Sequence, residues 1–239
     1  MPFSEHTGRG VKVAVVDSGI NPSHPHVAGV AGGICIKSSQ AEDYLDFNGH
    51  GTAVAGAIRE KSPDSMIFAV KVFNRSLTAN IEMLIEALVW AIEHDMTVIN
   101  LSLGTARQAH GEYLQRIVNL ATEKNIAIVA AHNVSGQMLL PGSLPSVIGV
   151  EADSLCPRDS YRTKYIQGAP VFVASPYPRD IPGVPCERNL SGISFAVANM
   201  TGFVARAREM HPNCSVSSLL KLLAEQAECG GSRTPYEHA

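Results

Sequence analysis

The chain has few charged residues and little excess of either sign. Its 239 residues include 19 Lys and Arg against 22 Asp and Glu, which gives a formal net charge of −3. That balance does not favour binding to nucleic acid or to an anionic membrane surface, and neither partner is expected. The longest apolar runs, Ala87–Ile92 and Ile126–Ala131, fall far short of the roughly 18 residues that a bilayer-spanning helix requires. The composition also excludes a disordered, collagen-like or coiled-coil chain.

Cysteine is scarce, and no two cysteines are closely spaced. The chain has five of them, an odd number without any C-x-x-C pair: Cys35, Cys156, Cys186, Cys214 and Cys229. A disulfide framework or a zinc cluster normally needs tighter, paired spacing. We therefore expect free thiols in a reducing compartment, with one disulfide pair remaining as an alternative. The first ten residues, MPFSEHTGRG, contain no apolar segment of a secretory signal, so a cytoplasmic location is expected.

Apolar runs alternate with helical patterns over the first 150 residues. The runs are rich in β-branched residues and do not alternate in polarity, which is typical of strands buried on both faces of a parallel sheet: 11–17, 66–73, 97–103, 126–131 and 146–150. Segments Ile81–His94 and Glu112–Lys124 carry apolar residues at helical spacing. The pattern predicts an α/β fold with a mostly parallel central sheet and helices on both faces.

The segment from Leu155 to Asn189 is rich in proline and lacks periodicity. It is predicted to be mainly loop, with one short strand near Pro170–Ala174. Two helices are predicted after it, at Ser194–His211 and Ser215–Cys229. No repeat or linker interrupts the chain, so residues 1–239 are expected to form one domain.

Three short segments carry residues suited to nucleophilic catalysis. Asp17 ends the first predicted strand, His50 lies between two glycines at the start of a helical stretch, and Ser194 opens another. A serine hydroxyl is a weak nucleophile until an imidazole removes its proton, and a carboxylate fixes the imidazole tautomer. The start of a helix also favours a developing negative charge. Asp, His and Ser at these positions indicate acyl transfer.

Five sequence blocks, in order, resemble the signature blocks of the subtilisin-like serine proteases. They are VAVVDSGI at 13–20, NGHGTAVAGAI at 48–58, INLSLG at 99–104, AAHN at 130–133 and SGISFA at 191–196. The resemblance extends from about Lys12 to Ala205 and includes PGSLPSVIGV at 141–150. It implies a subtilisin-like fold and serine endopeptidase activity through an acyl-enzyme.

The resemblance also implies a role for each matching residue. Asp17 would orient the base, His50 would be the general acid and base, and Ser194 would be the nucleophile. The side-chain amide of Asn133 and the backbone N–H of Ser194 would form the oxyanion hole. Substrate would pair with one extended segment, which consists of Ser102, Leu103 and Gly104. The opposite wall of the S1 pocket would consist of Ala130, Ala131 and His132.

Several positions depart from the family pattern. The residues around the nucleophile are Ile193, Phe195 and Ala198, where the family usually has Thr, Met and Pro. His132 replaces the usual Gly, and the connection from Asn133 to Pro141 is short. These changes predict a narrow S1 pocket that prefers a small P1 residue, the residue whose carbonyl is attacked. In the alternative, His132 points outward and only decorates the surface.

No metal or other cofactor is expected. Secreted relatives build a calcium site in a long loop after the His helix, whereas here seven residues, Arg59–Ser65, span that connection. Two acids cannot easily supply the six to eight oxygens that calcium prefers. Because Asp17 lies only sixteen residues after Met1, we also expect folding without a pro-segment.

The predicted function is a serine endopeptidase with a peptide or protein substrate. A compact cytosolic subtilase must be restrained, which favours specific processing. The main prediction is leader removal from a modified precursor peptide, as by the maturation protease of quinohemoprotein amine dehydrogenase. A partner enzyme is a further expected partner. The alternatives are general intracellular proteolysis, peptide macrocyclisation by transamidation, and a non-catalytic peptide-binding module. A dinucleotide-binding enzyme is excluded because no G-x-G-x-x-G follows the first strand.

The loop-rich segment carries an excess of cations, namely Arg158, Arg162, Lys164, Arg179 and Arg188. A solvated surface is the simplest interpretation of these residues. Docking of an acidic partner peptide is the alternative.

Overall fold

An eight-stranded sheet forms the centre of the protein. The computed structural model describes residues 1–38, 43–73 and 80–230. The strands are β1 (Lys12–Asp17), β2 (Gly32–Cys35), β3 (Met66–Lys71), β4 (Val98–Leu101), β5 (Ala127–Ala131), β6 (Asn133–Val134), β7 (Gln137–Met138), β8 (Ile148–Ala152), β9 (Arg162–Ile166) and β10 (Ala169–Ala174). The sheet order is β2-β3-β1-β4-β5-β8-β10-β9, and β6 and β7 form a separate hairpin.

Helices cover both faces of the sheet. They are α1 (His50–Lys61), α2 (Ile81–Glu93), α3 (Gly111–Glu123), α4 (Ile193–Met210) and α5 (Val216–Gly230). One apolar core lies between the sheet and α1, α4 and α5, and the other lies under α2 and α3. Successive residues of β1 serve the two cores in turn, since Val13 and Val15 join the first while Ala14 and Val16 join the second. This alternation explains why the strand sequences are apolar throughout, and it confirms the predicted fold class.

The edges of the sheet differ from the sequence prediction. The segment 155–189 was expected to hold one short strand, but it forms β9 and β10, which pair antiparallel. Strand β9 reads RTKYI and is largely exposed, so it lacks the apolar run that marks the central strands. At the opposite edge, β2 was not predicted because its four residues, GGIC, offer too short a pattern. The central strands and the helices lie within about two residues of their predicted bounds.

Helix α4 is the most enclosed helix of the fold. Every residue from 195 to 208 is buried. It packs against α1 so closely that a Cβ placed on Gly202 would lie only 2.4 Å from Cβ of Lys61. A larger residue at Gly202 would therefore push the two helices apart. In the ranges that the structure describes, no helix is both long and apolar enough to cross a bilayer.

Candidate active site

Asp17 and His50 meet at the carboxyl end of β1. Asp17 is the last residue of β1 and is fully buried, and His50 is the first residue of α1. The Asp17 carboxylate Oδ1 lies 2.7 Å from His50 Nδ1 and also accepts the Ser18 backbone N–H at 2.7 Å. A carboxylate only accepts hydrogen bonds, so this contact keeps the imidazole proton on Nδ1. His50 Nε2 is thereby left as the basic nitrogen.

A second carboxylate, Asp46, holds the turn that leads into His50. It accepts hydrogen bonds from the hydroxyl of Ser18, the backbone N–H of Asn48 and Gly49, and both the N–H and the hydroxyl of Thr52. The backbone donors of Asn48 and Gly49 precede α1, and that of Thr52 lies in its first turn, where backbone N–H groups have no partner within the helix. Asp46 was not predicted as a site residue. The only local sign of its role is that it lies two residues before the Asn48-Gly49 turn.

The surroundings of His50 raise the pKa of its imidazole. Burial by itself lowers the pKa, but the hydrogen bond and charge of Asp17, together with the charge of Asp46, outweigh burial, so the net pKa lies above the ordinary 6.5. A general base works only in its neutral form. If His50 is the general base, the rate is expected to fall as the pH drops through this raised pKa.

Ser194 lies in the first turn of α4, beside the end of β4. Its Oγ is 3.4 Å from the backbone carbonyl oxygen of Ser102. The Ser102 hydroxyl accepts from the amide of Asn100, whose carbonyl oxygen accepts from the hydroxyl of Thr201 in α4. This buried chain of hydrogen bonds ties the Ser102 segment to the helix that carries Ser194. Within the described residues no hydrogen bond joins Ser194 to His50, a contact that in many enzymes tightens only when substrate binds.

Phe195 packs against the catalytic imidazole. Its ring centroid is 5.5 Å from that of His50, with 42° between the ring planes, and the side chain is buried. The aromatic ring fills the space beside the imidazole and restricts its rotation. The departure from the family pattern at this position thus places a large apolar group next to the base.

Asn133 is the first residue of β6, two residues after the end of β5. It is half-buried, and its side-chain Oδ1 accepts the backbone N–H of Gly136 at 2.9 Å. This bond fixes the orientation of the amide, so the Nδ2 group faces away from the Gly136 turn. In the part of the chain that the structure describes, Nδ2 has no hydrogen-bond partner and remains available as a donor.

Comparison with known proteins identifies the family of this arrangement. The model of the subtilase family matches residues 8–237. The chain belongs to the subtilase family. Subtilases are serine endopeptidases, which places this protein among the hydrolases. The family assignment agrees with the order and geometry of Asp17, His50 and Ser194.

Two curated relatives are similar over nearly the whole subtilase chain. It is 31% identical to a subtilisin from Bacillus pumilus, with 97% of this chain and 88% of that protein covered. It is 32% identical to subtilisin amylosacchariticus from Bacillus subtilis subsp. amylosacchariticus, where the match covers 97% of this chain but only 64% of the relative. The crystal structure of a cold adapted subtilisin-like serine proteinase superposes with a TM-score of 0.73 over 92% of this chain and 83% of that chain. At 22% identity, that likeness shows the fold.

The two predicted walls of the S1 pocket lie at the ends of adjacent strands. Ser102–Gly104 follows β4 and Ala130–His132 ends β5, and the strands are parallel neighbours. Leu139 lies between these walls. Its backbone N–H donates to the carbonyl of His132, and a Cβ placed on Gly104 would lie 3.5 Å from Leu139 Cβ and 3.8 Å from its Cδ1. The sequence analysis did not single out Leu139.

His132 does not decorate the surface of the subtilase. Its side chain is buried, and its Nδ1 lies 3.1 Å from a carboxylate oxygen of Glu151 in β8. A Cβ placed on Gly149 would lie 3.2 Å from the His132 side chain, so the imidazole rests on β8. The alternative of an outward-pointing side chain is therefore wrong. The side chain that comes closest to Gly104 belongs to Leu139.

The guanidinium of Arg59 holds the connection after α1 in place. The Arg59 guanidinium donates to four backbone carbonyls, those of Val27, Gly29, Pro63 and Ser65. Carbonyl oxygens of this kind are common calcium ligands, and here they already face a positive charge.

We expect the melting temperature of the subtilase to be the same with and without excess chelator, because Arg59 supplies the positive charge at this connection. Differential scanning calorimetry would measure it, with chelator presaturated with calcium as the matched control. A fall of several degrees in free chelator alone would contradict the prediction.

Proposed function

We propose that this subtilase hydrolyses peptide bonds through Asp17, His50 and Ser194, that it cuts after small P1 residues, and that it processes specific peptide substrates in the cytoplasm. The observation that carries the P1 preference is the position of Leu139 between the two walls of the S1 pocket.

The hydrogen bond between Asp17 and His50 supports the proposed reaction. His50 Nε2 takes the proton of the Ser194 hydroxyl, and Oγ attacks the substrate carbonyl. The tetrahedral oxyanion accepts hydrogen bonds from Asn133 Nδ2 and the Ser194 backbone N–H; one such donor accounts for roughly 10²–10³ in kcat, a magnitude measured in a subtilisin. His50 then protonates the leaving amine, and water hydrolyses the acyl-enzyme by the same route.

Substrate recognition would combine main-chain pairing with a small side-chain pocket. The exposed edge at Ser102–Gly104 offers backbone donors and acceptors to an extended peptide, a mode that does not depend on side chains. Selectivity would then come from the space between the walls. Leu139 occupies part of that space, and its half-buried side chain leaves less room for P1.

Shortening Leu139 to alanine is expected to widen the P1 preference. Removing the branched end of the side chain opens volume next to Gly104, so kcat/KM for peptides with P1 Leu or Phe should rise about tenfold relative to P1 Ala. One or two methylenes in an apolar pocket typically change discrimination by roughly 10–200-fold. Quenched fluorescent peptides that differ only at P1 would measure the ratio.

The matched control is Met138→Ala. Met138 is the neighbouring residue, is half exposed at 50% of its surface, and is not among the nearest contacts of a Cβ placed on Gly104. Its P1 profile should match that of the unaltered enzyme. If the unaltered enzyme already cleaves best after Phe, Leu or Arg, the narrow-pocket proposal fails.

Specific processing in the cytoplasm is supported by the thiols and by the restricted pocket. Cys35, Cys156, Cys186 and Cys214 are free thiols, a state that reducing compartments maintain. A peptidase with a narrow S1 pocket cleaves few sites in a folded proteome. Leader removal fits both features. Its substrate would be a precursor peptide, with a modification or a partner enzyme contributing to recognition.

The test incubates the purified enzyme with precursor peptides encoded by neighbouring genes and follows the products by intact mass spectrometry. One cut that separates leader from core supports processing. Many cuts in denatured casein, at rates equal to those on the precursors, would favour general proteolysis instead.

A further inference from the structure

A second cavity adjoins the catalytic residues and does not include either wall of the S1 pocket. It has a volume of about 500 Å³ and lies between the chain after β1, the start of α1 and the loop that leads into α4. Gly49, directly before His50, and Leu190, four residues before Ser194, both line it. None of its lining residues comes from the ends of β4 or β5. The cavity is therefore separate from the Ser102–Gly104 edge.

Two side chains of this cavity, Arg179 and His24, offer hydrogen-bond donors to a ligand. Asp46 also lines it, but it already accepts five hydrogen bonds from the protein, which occupy all of the roughly four lone-pair sites of its carboxylate. Nδ1 of His24 accepts the backbone N–H of His26 at 3.2 Å. With Nδ1 accepting this bond, the His24 ring carries its proton on Nε2, which can donate to a ligand.

Arg179 supplies the positive charge of the cavity. Among the cations of the loop-rich segment, Arg158 pairs with Glu60 and Asp180, Arg162 with Asp153, and Lys164 with Glu151. Arg179 is half-buried at the cavity and forms no ion pair among residues 1–38, 43–73 and 80–230.

The known contacts of Arg179 leave most of its donors free. Its guanidinium Nη1 donates to the carbonyl of His26 at 3.3 Å, and its own carbonyl accepts from the Asn189 amide. These bonds hold the arginine in place while Nε and Nη2 remain without a partner in the described residues. Burial and the neighbouring charge of Arg179 lower the pKa of His26 below its ordinary value.

We propose that this cavity binds the carboxylate of an Asp or Glu side chain in the part of the substrate that leaves after acylation. A cationic guanidinium and an imidazole N–H are complementary to a carboxylate. The leaving peptide passes over His50, which protonates its amine, and the cavity opens beside the turn that carries His50. This inference rests on the proposed peptidase function, and it adds an acidic residue on the leaving side to the small P1 residue.

The test walks a single Asp, and separately a single Asn, through the four positions after the cleaved bond in a quenched peptide with P1 Ala. The assay is run at pH 8, where the Arg179 guanidinium is a cation. At one position kcat/KM should be about tenfold higher for Asp than for Asn, because only the carboxylate pairs with Arg179. Binding of the same peptides to Ser194→Ala by fluorescence anisotropy should show the same preference without turnover.

Two variants assign the preference to the cavity. Arg179→Gln should bring the Asp-to-Asn ratio close to one, whereas Arg179→Lys, which keeps the charge, should retain part of it. Fluorophosphonate labelling of each variant reports whether the catalytic site is intact. Equal rates for Asp and Asn at all four positions, or a ratio that Arg179→Gln leaves in place, would overturn the inference. Absence of both cleavage and labelling in the unaltered enzyme would instead overturn the proposed function.

Discussion

Replacing Ser194 with alanine is expected to lower kcat by about 10⁶-fold, the scale found when the nucleophile of a subtilisin is removed. Alanine has no Oγ, so no acyl-enzyme forms, and the oxyanion hole can only assist direct attack by water. Folding should be unaffected, since the Ser194 hydroxyl has a single long contact, 3.4 Å to the carbonyl of Ser102. Steady-state kinetics on a quenched peptide would measure the loss.

The fluorophosphonate adduct provides a second measurement of the same change. The unaltered protein should gain the mass of one adduct, and Ser194→Ala should gain none. Ser191→Ala is the matched control, because Ser191 is an exposed serine three residues away and should leave both labelling and kcat in place. Full peptidase activity in Ser194→Ala would show that another residue is the nucleophile.

Replacing Asp17 with asparagine is expected to lower kcat by about 10⁴-fold while KM changes little. The asparagine side chain keeps the shape of the carboxylate but offers an N–H group that can face Nδ1. The imidazole proton then moves to Nε2, and the base can no longer accept the proton of Ser194. Stopped assays at high enzyme concentration would quantify the remaining activity.

The pH profile of the same variant tests the electrostatic part of the argument. In the unaltered enzyme kcat/KM should fall below a pH that lies above 6.5, because the raised pKa keeps His50 protonated to a higher pH. Asp17→Asn removes the charge that raises this pKa, so the acid limb should move to lower pH. Asp95→Asn, at an exposed position remote from the site, should change neither the rate nor the profile. Retention of more than a tenth of kcat in Asp17→Asn would contradict the assigned role.

The sequence predicted the central strands well because burial on both faces requires an unbroken apolar run. Strands β1 and β5 illustrate this, since they end at Asp17 and Ala131 as predicted. Strand β9 was missed because an exposed edge strand needs no apolar pattern, and RTKYI resembles loop sequence. Strand β2 was missed because its two glycines suppress the local signal.

Residues that act through long-range contacts could not be predicted from the sequence. Leu139, the proposed S1 residue, comes close to Gly104 only because its short segment returns across that glycine. His132 was predicted either to narrow the S1 pocket or to point outward, because a histidine after a strand can turn to either side. Its side chain instead packs on β8 beside Glu151. In both positions the partner is distant in the chain or set by the packing of a neighbouring strand.

The close contact of α1 and α4 at Gly202 has an evolutionary consequence. The proposed base, His50, and the proposed nucleophile, Ser194, lie in the first turns of these two helices. Because the helices are packed closely against each other at Gly202, this packing sets the distance between the two residues. Leu139 and Arg179, by contrast, lie in connecting segments. Substrate choice can therefore diverge through substitutions in those segments, while the reaction itself is preserved.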